Sequence, residues 1–176
     1  MKVLAFAASN NPNSINAQLA LFAASLVNNA EIETLNIHDY ELPLFSHERE
    51  DELGQPELAK NFFAKIGQAD AIIISFAEHN GSYTAAFKNL FDWTSRIDRN
   101  VYQDKPVLML ATSPGPGGAQ NVLASAVTSA PYFAAKVKGS LSLPNFFDNF
   151  DQQTQTITND DFLAQLKVQV DQLTKP

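Results

Sequence analysis

Three short polar stretches concentrate the side chains able to hold a small ligand. The first, Ser9-Asn10-Asn11-Pro12-Asn13-Ser14-Ile15-Asn16, places hydroxyl and amide groups directly before a run with helical periodicity. Free backbone N–H groups and the positive dipole end of such a helix suit a phosphate, with Ser9, Ser14 and Asn16 as added donors beside the amides around Asn11 and Ile15. Ser and Asn also cap helices and form turns, so the local pattern leaves both roles open. The second stretch, Ala77-Glu78-His79-Asn80-Gly81-Ser82-Tyr83, gathers polar side chains around a glycine. Gly81 permits close backbone approach to a flat ligand, and Asn80 offers a donor and an acceptor to an amide-like edge; a plain Asn-Gly turn is the competing reading. His79 is able to move a proton, or simply to pack and hydrogen-bond. The third stretch, Ser113-Pro114-Gly115-Pro116-Gly117-Gly118, leaves backbone groups free and carries little bulk, which suits a planar ligand lying against it.

Other chemistries lack their residues. There is no cysteine among the 176 residues, hence no disulfide framework, thiolate metal site or catalytic thiol, and a reducing cytoplasm is the expected compartment. His38, His47 and His79 are scattered without metal-ligand spacing, so no metal is expected. Neither a dinucleotide glycine fingerprint, a triphosphate loop nor a serine-nucleophile elbow occurs. Twelve Lys+Arg against 19 Asp+Glu give a net charge of −7, which argues against a nucleic-acid partner. The apolar run Val3–Ala8 is too short for a signal peptide and stops at Ser9-Asn10-Asn11. No stretch approaches the roughly 18 apolar residues of a membrane span. With 45% hydrophobic residues and no break that marks a linker, residues 1–176 are expected to form one domain.

The elements that must carry these stretches follow from the apolar periodicity. Buried-strand runs are expected at Val3–Ala7, Ala71–Phe76 and Pro106–Ala111, with alternating strands at Ile32–Ile37 and Val137–Leu143. Helical spacing covers Ile15–Asn28, Glu57–Gln68, Thr84–Ser95, Gln120–Phe133 (ended or kinked by Pro131) and a last helix that follows Thr158-Asn159-Asp160. His38–Pro56 reads as a long loop, with the charged run His47–Glu52 as solvated surface. Asp92 and Arg96 have the spacing of a helix-face ion pair, and Phe146, Phe147 and Phe150 read as core. Alternating strands and helices predict an α/β fold of three layers, a five-stranded parallel sheet in the order 2-1-3-4-5 with helices on both faces. Ligands of such sheets bind beyond the carboxyl ends of the strands, where the winding reverses, and the three polar stretches follow strands one, three and four.

At these residues the chain resembles the NAD(P)H-dependent FMN reductase family of flavodoxin-like oxidoreductases. Ser9, Ser14 and Asn16 match its phosphate-binding stretch G-S-x-R-x-x-S-x-N. Glu78-His79-Asn80-Gly81-Ser82 with Lys88-Asn89 and Asp92-Trp93 is similar to P-E-Y-N-x-S…L-K-N…D-W, and Ser113-Pro114-Gly115 with Gly117-Gly118 to S-P-G-x-x-G-G. The resemblance implies a flavodoxin-like fold and FMN held by Ser9, Asn11, Ser14, Ile15, Asn16, Glu78, His79, Asn80, Gly81, Ser82, Ser113, Gly115, Gly117 and Gly118. It further implies NADPH or NADH as co-substrate, a small electron acceptor such as a quinone or free flavin, and a homodimer or tetramer. Because the flavin carries the chemistry, no catalytic acid or base is expected. The alternative on the same fold is a non-enzymatic FMN-binding electron carrier. This chain departs from the pattern at Ala8 for Gly, Asn11 for Arg, Ala77 for Pro and His79 for Tyr. The loss of the Arg charge implies weaker FMN binding unless backbone and Ser/Asn donors compensate.

Overall fold

In a computed structural model, which describes residues 1–175, the strands β1 (Lys2–Ala8), β2 (Glu31–Asn36), β3 (Ala71–Phe76), β6 (Pro106–Thr112) and β7 (Lys136–Leu143) form one sheet in the order β2-β1-β3-β6-β7. Every pairing in it is parallel, and the order is the one expected from the sequence once the intervening short strands are numbered. Parallel strands cannot be joined by tight turns, so helices cross over between them and cover both faces.

Alternation along each strand feeds two separate cores. Leu4, Phe6, Ile72, Ile74, Val107 and Met109 face α3 (Glu57–Gln68), α4 (Ala85–Ser95) and α5 (Gln120–Ser129). Val3, Ala5, Ile73, Leu108 and Leu110 share a core with α1 (Ile15–Ser25), the short α6 (Phe146–Asn149) and α7 (Asp160–Leu173). Side chains of β3 are buried on both faces, which is why its sequence is a continuous apolar run. Pro131 opens a 3-10 turn, Ala130–Phe133, that ends α5 as its ring requires.

His38–Pro56 is not simply a loop. A 3-10 turn spans Ile37–Tyr40, and α2 runs from His47 to Leu53. None of the residues of α2 is buried, so it has no apolar stripe for periodicity to detect. It is held instead by the Ser46 hydroxyl, which accepts from the Arg49 amide at 3.2 Å, and by Glu48 and Glu50 near its positive end. Arg96 donates to Glu50 at 2.8 Å, while Asp92 takes Lys88 at 2.7 Å, so the expected Asp92–Arg96 pair does not form. The i−4 neighbour on the same helix face and a carboxylate delivered by tertiary packing displace it. The segment before α2 is strapped across α4: Asn89 accepts from the Phe45 amide at 2.8 Å and donates to Leu42 and Pro43 carbonyls, and Trp93 Nε1 donates to Pro43 at 2.7 Å.

The edge strand β2 is anchored by charge. Glu33 takes Lys2 of β1 at 2.7 Å and is also bonded by Lys65 of α3. Hydrogen bonds from Lys2 and then Lys65 hold its carboxyl below the ordinary value of 4.5. A lowered folded pKa stabilises the protein above the unfolded value and loses that effect as pH falls through the folded one. Glu33→Gln should therefore lower stability in urea at pH 7, with the difference from the parent shrinking as pH drops below about 4.5. A pH-independent difference would show that the ion pairs contribute nothing.

Candidate ligand-binding site

The first polar stretch is shaped by its own side chains. Ser9 Oγ accepts from the Asn11 amide at 3.2 Å and Asn11 Oδ1 from the Asn13 amide at 2.9 Å, so both close local turns. Ser14 is the N-cap of α1, accepting from Ala17 at 3.4 Å. Among the described residues no hydrogen bond engages the N–H groups of Ile15 and Asn16, which stand free in the first turn of the helix.

Asn16 points the other way. Its Oδ1 accepts from Ser75 Oγ at 2.7 Å and from the Thr112 amide at 3.0 Å, while its Nδ2 donates to the Thr112 carbonyl at 3.2 Å. The residue is 3% exposed and every polar atom of its side chain is used within the protein. Asn16 thus offers a ligand its backbone amide, and its carboxamide is a strut and not the added donor the sequence suggested. The rung it forms replaces a strand neighbour, because the pairing of β3 with β6 ends at Phe76 and Ala111.

The second stretch folds into a hairpin of β4 (Glu78–His79) and β5 (Ser82–Tyr83). Asn80 and Gly81 form its two-residue turn, with φ of 52° and 76°, the backbone that Asn-Gly favours. Glu78 turns its carboxylate to α5, accepting from the Val122 amide at 2.9 Å and from Asn121 Nδ2 at 3.4 Å. Across the hairpin from Glu78, the Tyr83 hydroxyl meets Ser129 Oγ at 3.2 Å, and burial pushes the Tyr83 pKa up. Thr84 then caps α4 and donates to the Ala8 carbonyl at 3.0 Å, which ties this loop to the end of β1.

In the third stretch Gly115 accepts from Ser113 Oγ at 3.2 Å and from the Asn145 amide at 2.9 Å. Gly118 sits at φ 57° with Ser142 Oγ only 2.3 Å from where a Cβ would stand, so a larger residue is excluded there. Gly115 and Gly117 have nothing within 4 Å of that position and border open space.

These stretches border one cleft of about 400 Å3 at the carboxyl ends of β1, β3 and β6. Of the residues singled out from sequence, Ser9, Asn11, Ser14, Ile15, Asn16, Glu78, His79 and Ser113 line it. Asn80, Gly81 and Ser82 lie on the exposed hairpin, and Gly115, Gly117 and Gly118 follow Pro114 away from the lining. Thr112 and Phe147 also line it. Phe147 is 57% exposed and stands edge-on to Phe146, whereas Phe146 and Phe150 are buried, so only two of that trio belong to the core. Nothing in the spacing of adjacent phenylalanines says which one turns outward. Thr112 carried a signal, as the polar end of an otherwise apolar strand. Among the described residues no Lys or Arg lines the cleft. A larger groove of about 650 Å3 shares Ser9 and Asn11 with it but wraps the end of β2 and touches neither other loop.

A parallel sheet of this order with a cleft at its winding reversal defines the flavodoxin-like class. Residues 1–148 match the family described as NADPH-dependent FMN reductase, and the chain belongs to that family. It is similar to an Arabidopsis thaliana NADPH:quinone oxidoreductase, 36% identical over 91 residues, which are 52% of this chain and 45% of that protein. It is also similar to a Burkholderia 2-hydroxy-1,4-benzoquinone reductase, 32% identical over 117 residues, 65% of this chain and 62% of that protein. Each match spans less than two thirds of the relative's length. Among solved structures, the fold is shared with a flavoenzyme NAD(P)H:(acceptor) oxidoreductase from Paracoccus denitrificans, with a TM-score of 0.75 at 23% identity over 98% of this chain and 94% of that one. Among the described residues no helix is long and apolar enough to cross a membrane.

The Asn16 strut has a measurable consequence. Asn16→Ala leaves Ser75 Oγ and the Thr112 backbone groups buried without partners, and each such group costs about 1–3 kcal/mol. A loss of about 3 kcal/mol in urea unfolding is expected, and a loss under about 1 kcal/mol would show that water replaces the strut.

Proposed function

We propose that the protein is an NAD(P)H-dependent, FMN-containing oxidoreductase that passes reducing equivalents from NADPH or NADH to a small acceptor such as a quinone or free flavin. The observation that carries this reading is the single cleft bordered by all three polar stretches, with the free Ile15 and Asn16 amides at one end. The residues present fit FMN. Unpartnered amides at a helix N-terminus suit its phosphate, and the cleft wall of Ala77, His79 and residues 112–114 suits a flat ring. When bound, FMN supplies the hydride-accepting ring system.

The protein's part is to bind, orient and exclude water. The Ile15 and Asn16 amides with the Ser9 and Ser14 hydroxyls hold the phosphate, and Ala77, His79 and residues 112–114 frame the ring. Phe147 offers an apolar face at the mouth of the cleft. With no Lys or Arg among the described lining residues, phosphate binding rests on dipoles and hydroxyls, which makes FMN affinity sensitive to any added negative charge. The quinone reductases among the relatives support a quinone as the acceptor class. A homodimer in a reducing cytoplasm completes the proposal, supported by the family resemblance and by the absence of cysteine.

The test is the visible spectrum of the purified protein before and after added FMN, followed by anaerobic NADPH or NADH. Rapid bleaching of a bound flavin by a nicotinamide is the expected result. Tight FMN with slow or no nicotinamide oxidation would favour an electron carrier, and no flavin bound after addition would overturn the cofactor assignment. Ser14→Asp should weaken FMN binding at least about tenfold by repulsion of the phosphate, and an unchanged affinity would move the phosphate elsewhere. Light scattering should give twice the 19.3 kDa chain mass, and a monomer at high concentration would contradict the dimer.

A further inference from the structure

The hairpin of β4 and β5 is tied to α5 by its paired residues Glu78 and Tyr83, Glu78 at the start of the helix and Tyr83 at Ser129 at its end. The two ties differ in consequence. The start of α5 has no cap of its own: the residue at its N-cap is Ala119, at φ 60°, with no side-chain hydrogen bond to the helix. The Val122 amide in the first turn is satisfied by the Glu78 carboxylate, which also places a negative charge at the positive end of the helix dipole. Glu78 belongs to the second loop of the cleft, and α5 begins two residues after Gly118 of the third. One carboxylate therefore bridges the two loops that face each other across the candidate ring site.

We propose that Glu78 is a positioning residue that caps α5 from outside the helix and thereby sets the gap between the 77–83 hairpin and the 113–119 loop. This rests on the flavin reading of the cleft only for its effect on FMN. Glu78 acts there through α5, its carboxylate being engaged by Val122 and Asn121. Gln at this position retains an acceptor for Val122, and Asn121 can turn its carboxamide to present an oxygen to the new donor. Ala retains neither bond.

The experiment compares the parent with Glu78→Ala, Glu78→Gln and Tyr83→Phe, first by amide hydrogen exchange without ligand and then by FMN titration followed by flavin fluorescence. Glu78→Ala should speed exchange at Val122 and in the hairpin about tenfold or more while leaving β1, β3 and β6 protected. It should also weaken FMN binding about tenfold, whereas Glu78→Gln should stay within about threefold of the parent in both measurements. Tyr83→Phe loosens the tie to Ser129 and should leave FMN affinity within about threefold. Unchanged exchange at Val122 in Glu78→Ala overturns the cap. Faster exchange with unchanged FMN affinity overturns the control of the gap. Weaker FMN binding in both Glu78 variants with unchanged exchange would make Glu78 a direct ligand contact. Should the parent fail to bind FMN, the flavin reading falls, and the exchange data still decide whether Glu78 joins the two loops.

Discussion

The buried carboxamide of Asn16 is the interaction on which the candidate site depends. It grips both backbone groups of Thr112 and the hydroxyl of Ser75, and so fastens the first turn of α1 to the carboxyl ends of β6 and β3. Parallel strands end in unpaired backbone groups, and a sheet edge facing a ligand cleft has no further strand to satisfy them. The side chain of Asn16 does so while its own backbone N–H has no partner among the described residues. A buried polar network is stable only when all its members are satisfied, and this one is.

Around that strut the other loops are fixed by single polar bonds to elements distant in sequence. Thr84 reaches the carbonyl of Ala8, Glu78 the start of α5, and Ser142 Oγ donates to the carbonyl of Gly118 at 2.7 Å. Loops without buried apolar surface are held by such contacts, which also keep a site preorganised. The cleft they define is short of positive charge, as Asn11 closes a local turn where the family pattern has Arg. Phosphate affinity then depends on the geometry of amides, which makes the rigidity of α1 matter more than it would beside a guanidinium.

Several assignments were beyond the sequence for identifiable reasons. Helix α2 has no buried face, so hydrophobic periodicity could not reveal it, and its stability comes from a cap and the dipole. Asp92 had two basic residues within one helical turn, and only the tertiary placement of α2, which delivers Glu50 to Arg96, decides between them. Asn89 and Trp93 stood out as parts of a motif, but their work in strapping residues 42–45 needs partners more than 40 positions away.

By itself the sequence determined the parallel five-stranded sheet, its order, its two covered faces and the three stretches beyond its strand ends. Apolar periodicity and the right-handed crossover rule are properties of the chain alone, and they leave little freedom. Tertiary structure alone decided what each polar side chain faces. Asn16 and Glu78 read from sequence as groups for a ligand, and both turn instead to backbone amides brought beside them from 96 and 44 residues away. A hydrogen-bonding side chain answers to its nearest unsatisfied partner, and that partner exists only once the fold has placed it there.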